Sequence, residues 1–340
     1  MTDAAQIQPA LRRAAFASAN IVLFLVGLFG FGALQTRDVN VPDSDTLPAK
    51  WNHCEQHGSR YSLLFVGSSL VAHHFIPAQF DAALKEAGIE LTSFNFGQNG
   101  MYSPESFYVL RSLLEKTPLK PRWVVIDFMG FRPIIEGNEE SARSVAWHDL
   151  RHTLLACQML LSSDYNKRKS EPGLFYHLRL WAARTLGEGR GQTWLRPKLK
   201  LKVPPPAEVQ QAGYEALERM VFDAKTEERF RGLVEGLIGT KKSADLPAVY
   251  RRELESLIAF VRSTGAEPIF VVAPDIYAAQ RFNDWPPPGV AQFAYDHPET
   301  YPTLYRSDQR FDPSHLDGEG AKEFTRIFAG EFAEWVKRKK

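Results

Sequence analysis

Leu63-Leu64-Phe65-Val66-Gly67-Ser68-Ser69-Leu70 is the stretch from which the fold is read. Four apolar residues in a row describe a buried strand, and Gly-Ser-Ser ends it in a tight turn with a hydroxyl at the tip. Far along the chain, Asp312-Pro313-Ser314-His315 sets an imidazole three residues after a carboxylate. The two stretches together fill the roles of a serine nucleophile system: a hydroxyl, a general base and the acid that orients the base.

Working outward from Leu63–Val66, helix-like and strand-like segments alternate. Pro77–Ala87 puts Phe80, Ala83 and Leu84 on one helical face, and Leu91–Phe96 follows as a second strand. Pro104–Leu114 reads as a helix and Trp123–Asp127 as a third strand. The pattern breaks near residue 133 and returns with a helix over Pro247–Thr264, a strand over Pro268–Val272 and a last helix over Gly318–Arg338. This alternation predicts an α/β fold, with a parallel sheet covered by helices on both faces in three α/β/α layers. Residues 134–246 are predicted as a mostly helical insertion, a lid or docking surface. Functional groups of such sheets gather at the carboxyl ends of the strands. Ser69, Gly97, the stretch Asp127 to Arg132, and Asp312 with His315 are therefore expected at one edge.

The 41 basic and 40 acidic side chains nearly balance over 340 residues, which gives no reason to expect a nucleic-acid partner. Residues 14–34 contain no charged side chain and match the length of a bilayer core. Arg12 and Arg13 precede them, so the positive-inside rule keeps residues 1–13 in the cytoplasm and exports everything after Arg37. A cleaved signal peptide is the competing reading, and its apolar region is usually shorter. Residues 35–56 then read as a tether and residues 57–340 as the catalytic domain. Two readings of Cys54 and Cys157 stay open: a single disulfide pair, or two unrelated thiols.

Three blocks of this chain resemble the SGNH (GDSL-type) hydrolases and acyltransferases. The family's Gly-Asp-Ser-Leu stands as Gly67-Ser68-Ser69-Leu70, its second-block glycine as Gly97 within Asn95-Phe96-Gly97-Gln98-Asn99-Gly100, and its Asp-x-x-His as Asp312 and His315. The resemblance implies a flavodoxin-like SGNH fold in which Ser69 is the nucleophile, His315 the base and Asp312 its partner, with no cofactor or metal. Ser68 takes the place of the family's aspartate and is expected as a turn residue beneath the site. The family's Gly-x-Asn-Asp block has no asparagine here, its counterpart being Asp127-Phe128-Met129-Gly130-Phe131-Arg132. The oxyanion would then be held by the backbone N–H groups of Ser69 and Gly97, with Gln98, Asn99 and Arg132 as further candidates.

The Gly-Ser-Ser variant with an N-terminal anchor is similar to membrane-tethered proteins of teichoic-acid D-alanylation and polysaccharide O-acetylation. That similarity implies a bacterial inner-membrane protein with its domain in the periplasm or outside the cell. It implies an acyltransferase or esterase acting on acyl groups, O-acetyl above all, of an exported polysaccharide, and a multispanning membrane O-acyltransferase as partner. Two alternatives accompany it: a catalytically silent docking subunit for such a transferase, and a soluble secreted esterase. An α/β-hydrolase is disfavoured because Val71 stands where the nucleophile elbow has its second glycine.

Weaker features have plain readings. His148 and His152 have the spacing of a zinc helix but lack the glutamate base, and read as a solvated helix face. His73 and His74 follow the nucleophile turn and read as surface histidines, with lining of the pocket as the alternative. Arg196 to Lys202 reads as a protected edge strand, with anionic headgroups or an acidic polymer as the functional alternative. Trp147, Trp181 and Trp194 suit either sugar stacking or burial.

Overall fold

The computed structural model describes residues 4–35, 46–129, 142–162, 167–186, 209, 211–239, 245–276 and 282–339. Arg132, Trp194 and the Arg196–Lys202 stretch lie outside them.

Five parallel strands form one sheet in the order β2-β1-β3-β4-β5. They are β1 (Leu63–Gly67), β2 (Ser93–Gly97), β3 (Trp123–Asp127), β4 (Glu267–Val272) and β5 (Ala291–Ala294). Side chains alternate across a strand, and here both sets are buried. Leu64, Val66, Phe94, Phe96, Val124, Ile126, Phe270 and Val272 face one apolar cluster. Leu63, Phe65, Trp123, Val125, Ile269 and Val271 face another. That double burial is why the strands read as continuous apolar runs rather than alternating ones.

The first cluster is closed by helices α2 (Leu47–His57), α5 (Glu105–Lys116), α7 (Leu150–Ser162) and α10 (Ala248–Ser263). The second is closed by α4 (Pro77–Glu86), α9 (Ala224–Leu237) and α11 (Gly318–Arg338), with Phe80, Leu237, Phe324, Phe328 and Phe332 among its members. Each fully buried Leu or Phe contributes roughly 1.5–3 kcal/mol. Losing one from either layer therefore removes a large fraction of a marginal total.

Three parts depart from the sequence reading. Residues 47–56, assigned to the tether, lie in α2, whose Leu47, Trp51 and Cys54 are buried in the first cluster. A fifth strand, Ala291–Ala294, was not foreseen; its half-buried Ala-Gln-Phe-Ala gives neither an apolar run nor a clean alternation. The insertion contributes the helices α6 (Ala142–Trp147), α7, α8 (Lys167–Thr185) and α9, but α9 is no lid. Val234 and Leu237 pack into the second cluster.

At the N-terminus, α1 covers Ala4–Gln35. Among the described residues no helix is long and apolar enough to cross a membrane. Phe16 and Ile21 through Val26 are all exposed.

Candidate active site

The chain leaves β1 outward to β2 and returns past it to β3, so the sheet reverses direction at β1. Ligand crevices of open α/β sheets lie at the carboxyl ends of the strands flanking such a reversal. Ser69 sits there, as the first residue of the short helix α3 (Ser69–His74).

Ser68 anchors the turn. Its hydroxyl donates to Asp127 Oδ2 at 2.6 Å and accepts from the Leu70 N–H at 3.2 Å, and its own N–H donates to the same carboxylate oxygen. Ser68 is thus the cap of α3 and is 1% exposed, in keeping with a residue packed beneath the site. Gly67 is required by the same packing, because a Cβ there would fall 2.3 Å from Asp127 Cβ and 2.6 Å from Val71.

Across the crevice, Asp312 organises its own loop. Oδ1 accepts from the N–H groups of Ser314 and His315 at 2.7 and 2.8 Å, and Oδ2 faces His315 Nδ1 at 2.8 Å. His315 Nε2 lies 2.8 Å from Ser69 Oγ. With the Nδ1 proton donated to the carboxylate, Nε2 offers its lone pair to the serine hydroxyl. Burial pushes the Asp312 carboxyl upward most strongly of any single influence. The hydrogen bonds and charge of His315, with the Ser314 N–H, more than offset it and hold the carboxyl below its ordinary value.

Two buried residues support this loop. Arg310 donates to the Pro313 carbonyl at 3.0 Å and the Leu304 carbonyl at 2.7 Å; burial lowers its pKa to about 10. His74 accepts the Leu316 N–H at Nε2, 3.0 Å away, and burial, then the neighbouring His315, holds its pKa well below the ordinary histidine value. His74 is therefore neutral, with its proton on Nδ1. His73 and His74 are both buried, which corrects their reading as surface histidines: α3 turns them inward against β2 and the His315 loop.

The side expected to hold the oxyanion is assembled differently. Asn95, a buried β2 residue, donates to the carbonyls of Val71 and Phe75 at 2.7 and 2.8 Å and so fastens the nucleophile helix. Its Oδ1 accepts the Gly97 N–H at 2.8 Å. The Gly97 N–H, expected to face an oxyanion, is thus bonded to Asn95. Its glycine is steric: a Cβ would lie 2.1 Å from the Ala72 nitrogen. The Gln98 N–H donates to the Gly67 carbonyl, and its buried side chain accepts from Thr46. The Ser69 N–H has no partner among the described residues. Asn99 is exposed, and its side-chain amide lies 2.8 Å from His73 Nε2.

Asn99 is held from several sides. Arg143 of α6 donates to the Asn99 and Gly100 carbonyls at 2.8 and 2.9 Å and pairs with buried Glu105 at 2.7 Å. Burial raises the Glu105 carboxyl to about 7 against the opposing charge of Arg143. His73 Nδ1 donates to the Glu215 carbonyl at 2.7 Å. Lys50, 2% exposed, donates to the Gly97 carbonyl at 2.6 Å and pairs with Glu215 at 2.7 Å. Lys50 lay inside the supposed tether, and Glu215 inside the supposed lid, so sequence reading missed both.

The remaining features resolve simply. Cys54 and Cys157 are both free; burial raises the Cys54 thiol to about 12. His148 and His152 are buried, not on a solvated face, and His148 Nε2 lies 2.8 Å from His177 Nδ1. Among the described residues no group of three or more His, Cys, Asp or Glu is placed to hold a metal ion. Trp147 is 2% exposed, whereas Trp181 is 36% exposed. Compared with protein families and with curated proteins, the sequence matches no family model and no curated protein.

Proposed function

We propose that this chain is a serine-dependent acyl-transfer enzyme of the SGNH type, an esterase or O-acyltransferase with a flavodoxin-like core. The observation that carries the proposal is the continuous contact Asp312–His315–Ser69, each step 2.8 Å, at the switch point of a parallel sheet. Ser69 Oγ attacks an acyl carbonyl while His315 Nε2 takes its proton. The bond to the leaving alcohol or thiol then breaks as His315 returns the proton to it, leaving an acyl-serine. A sugar hydroxyl or water repeats the exchange in reverse, and the acyl group departs. Asp312 keeps His315 in the required tautomer and stabilises the imidazolium formed at each transfer.

The developing oxyanion is met by the Ser69 N–H, which has no partner among the described residues, and by an N–H of the Asn99 side-chain amide. The proposed substrate is an acylated exported polysaccharide, and the proposed location is the outer face of a bacterial inner membrane with residues 14–34 as anchor. Both extend from the resemblance of the three sequence blocks. A membrane O-acyltransferase is the proposed partner. One observation favours a second reading, a catalytically silent docking subunit: the backbone N–H groups of Gly97, at the end of β2, and of Gln98, just after it, are already bonded.

A serine-reactive fluorophosphonate separates the two. The enzyme reading expects a covalent adduct on Ser69 that depends on His315. A parent protein that stays unlabelled, while a smaller sulfonyl fluoride also leaves Ser69 free, would overturn it.

A further inference from the structure

Large apolar side chains stand in solvent on three helices that adjoin one another. On α7, Leu150 is 57% exposed, Leu154 48% and Leu161 69%. Steps of four and seven residues put them on one face with half-buried Cys157. The opposite face, Leu155, Ala156, Met159 and Leu160, is buried. Phe175 and Leu178 on α8, with Leu186 just past its end, form a similar stripe, bordered by Trp181 and by exposed Arg179. His177, Leu180 and Ala183 are buried behind it. The two helices pack on each other, and α1 lies against α8.

We propose that the α7–α8 pair rests on the bilayer surface, with these stripes in the boundary between headgroups and acyl chains. The nature of α1 selects the occupant. Ile21 through Val26 are six consecutive residues, each at least 40% exposed, so they point all round the helix. A protein groove covers one stripe of a helix, whereas an apolar solvent contacts its whole perimeter. The stripes of α7 and α8 are one-sided, as in helices that lie in the interface plane about 5–10 Å deep. Trp181 and Arg179, at the border, have the amphipathic form that suits such a boundary. Apolar patches of this kind on a monomer mark interaction surfaces. The surface rests on the reading of residues 14–34 as an anchor only for its continuity with the membrane; its own side chains make a separate claim.

The full chain in bilayer nanodiscs carrying a diazirine phospholipid supplies the test, with adducts located by peptide mass spectrometry. Lipid adducts are expected within residues 150–161 and 175–186 as well as 21–26. The double variant Leu154→Glu, Phe175→Glu replaces exposed residues, so its melting temperature should equal the parent's. It should lower adduct yield on α7 and α8 roughly tenfold and leave that on α1 unchanged. Adducts on 21–26 alone would overturn the surface and leave the anchor standing. Adducts on α7 and α8 alone would support the surface and remove the anchor. Crosslinks joining α7 or α8 of two copies of the chain, in place of lipid adducts, would overturn it in favour of self-association.

Discussion

On one side of the Ser69 hydroxyl, four consecutive residues supply carboxylate, imidazole and the turn that aligns them. On the other, residues 97–100 depend on side chains from α2, α3, α6 and the 211–220 segment. The His315 loop is local in its making, with Asp312 accepting two N–H groups of its own turn before it meets His315. The Asn99 loop is non-local: Lys50, His73 and Arg143 reach it from separate elements, and Glu215 holds both Lys50 and His73. The contrast separates two demands of acyl transfer. A base and its acid need one short fixed distance, which a turn provides. A donor for the oxyanion must project from a loop held in place by groups beyond it, which takes a scaffold.

The largest expected effects lie on the local side. Ser69→Ala and His315→Ala should each abolish fluorophosphonate labelling and lower hydrolysis of an activated aryl ester by at least about 10³-fold. Asp312→Asn keeps the turn's shape but offers Nδ1 no anion, and a loss of roughly 10²–10⁴-fold is expected. If Asp312→Asn matched the parent protein, the carboxylate would be a turn residue only, and the local side would lose its proposed catalytic meaning.

The non-local side is tested by two neighbours expected to fail for different reasons. Gly97→Ala drives a methyl group into the backbone of Ala72 and Val71. It should cost about 3 kcal/mol of stability, with activity falling because α3 moves. Asn99→Ala touches an exposed side chain and should leave the melting temperature nearly unchanged. Turnover should nonetheless fall about 10²-fold with little change in KM, as for a donor used only in the transition state. Equal damage to stability from both substitutions would mean that Asn99 is structural and the contrast false.

The same contrast explains how far the site was legible in the sequence. Four strands, the four long helices that alternate with them, and Ser69, Asp312 and His315 were readable because each rests on a run or spacing within a few residues. Gly97 stood out by its place after an apolar run, and only the fold reveals its close approach to Ala72 and that Asn95 takes its N–H. Lys50, Arg143 and Arg310 carry no local mark at all. A buried cation held by carbonyls looks in sequence like any surface lysine or arginine, since the partners of Lys50 and Arg143 lie far along the chain. The buried His148 was likewise indistinguishable from a solvated residue. Its companion, His177, lies on another helix.

Acid should expose the smallest difference, that between His73 and His74, adjacent residues serving opposite sides of the site. Both have pKa values lowered first by burial, His74 far more so, because hydrogen bonds to Glu215 and Asn99 partly restore His73. A lowered histidine binds its proton later in the folded state than in the unfolded one. Stability is therefore fully present above about pH 6.5 and declines as the pH falls from there toward the folded pKa. Within that window each such group contributes a slope of about 1.4 kcal/mol per pH unit. His148, lowered to about 3, adds to the same decline from the insertion. Asp312 does not take part between pH 6.5 and 5, since its carboxyl is held below the ordinary value. Melting temperatures measured from pH 7 to pH 5 should therefore fall in the parent and fall less in His74→Gln, which keeps an acceptor for the Leu316 N–H without titrating. His73→Gln should flatten the curve less than His74→Gln does. The reverse order would place the more strongly buried, acid-sensitive contact on the Asn99 side, and the local loop would then be the better solvated of the two.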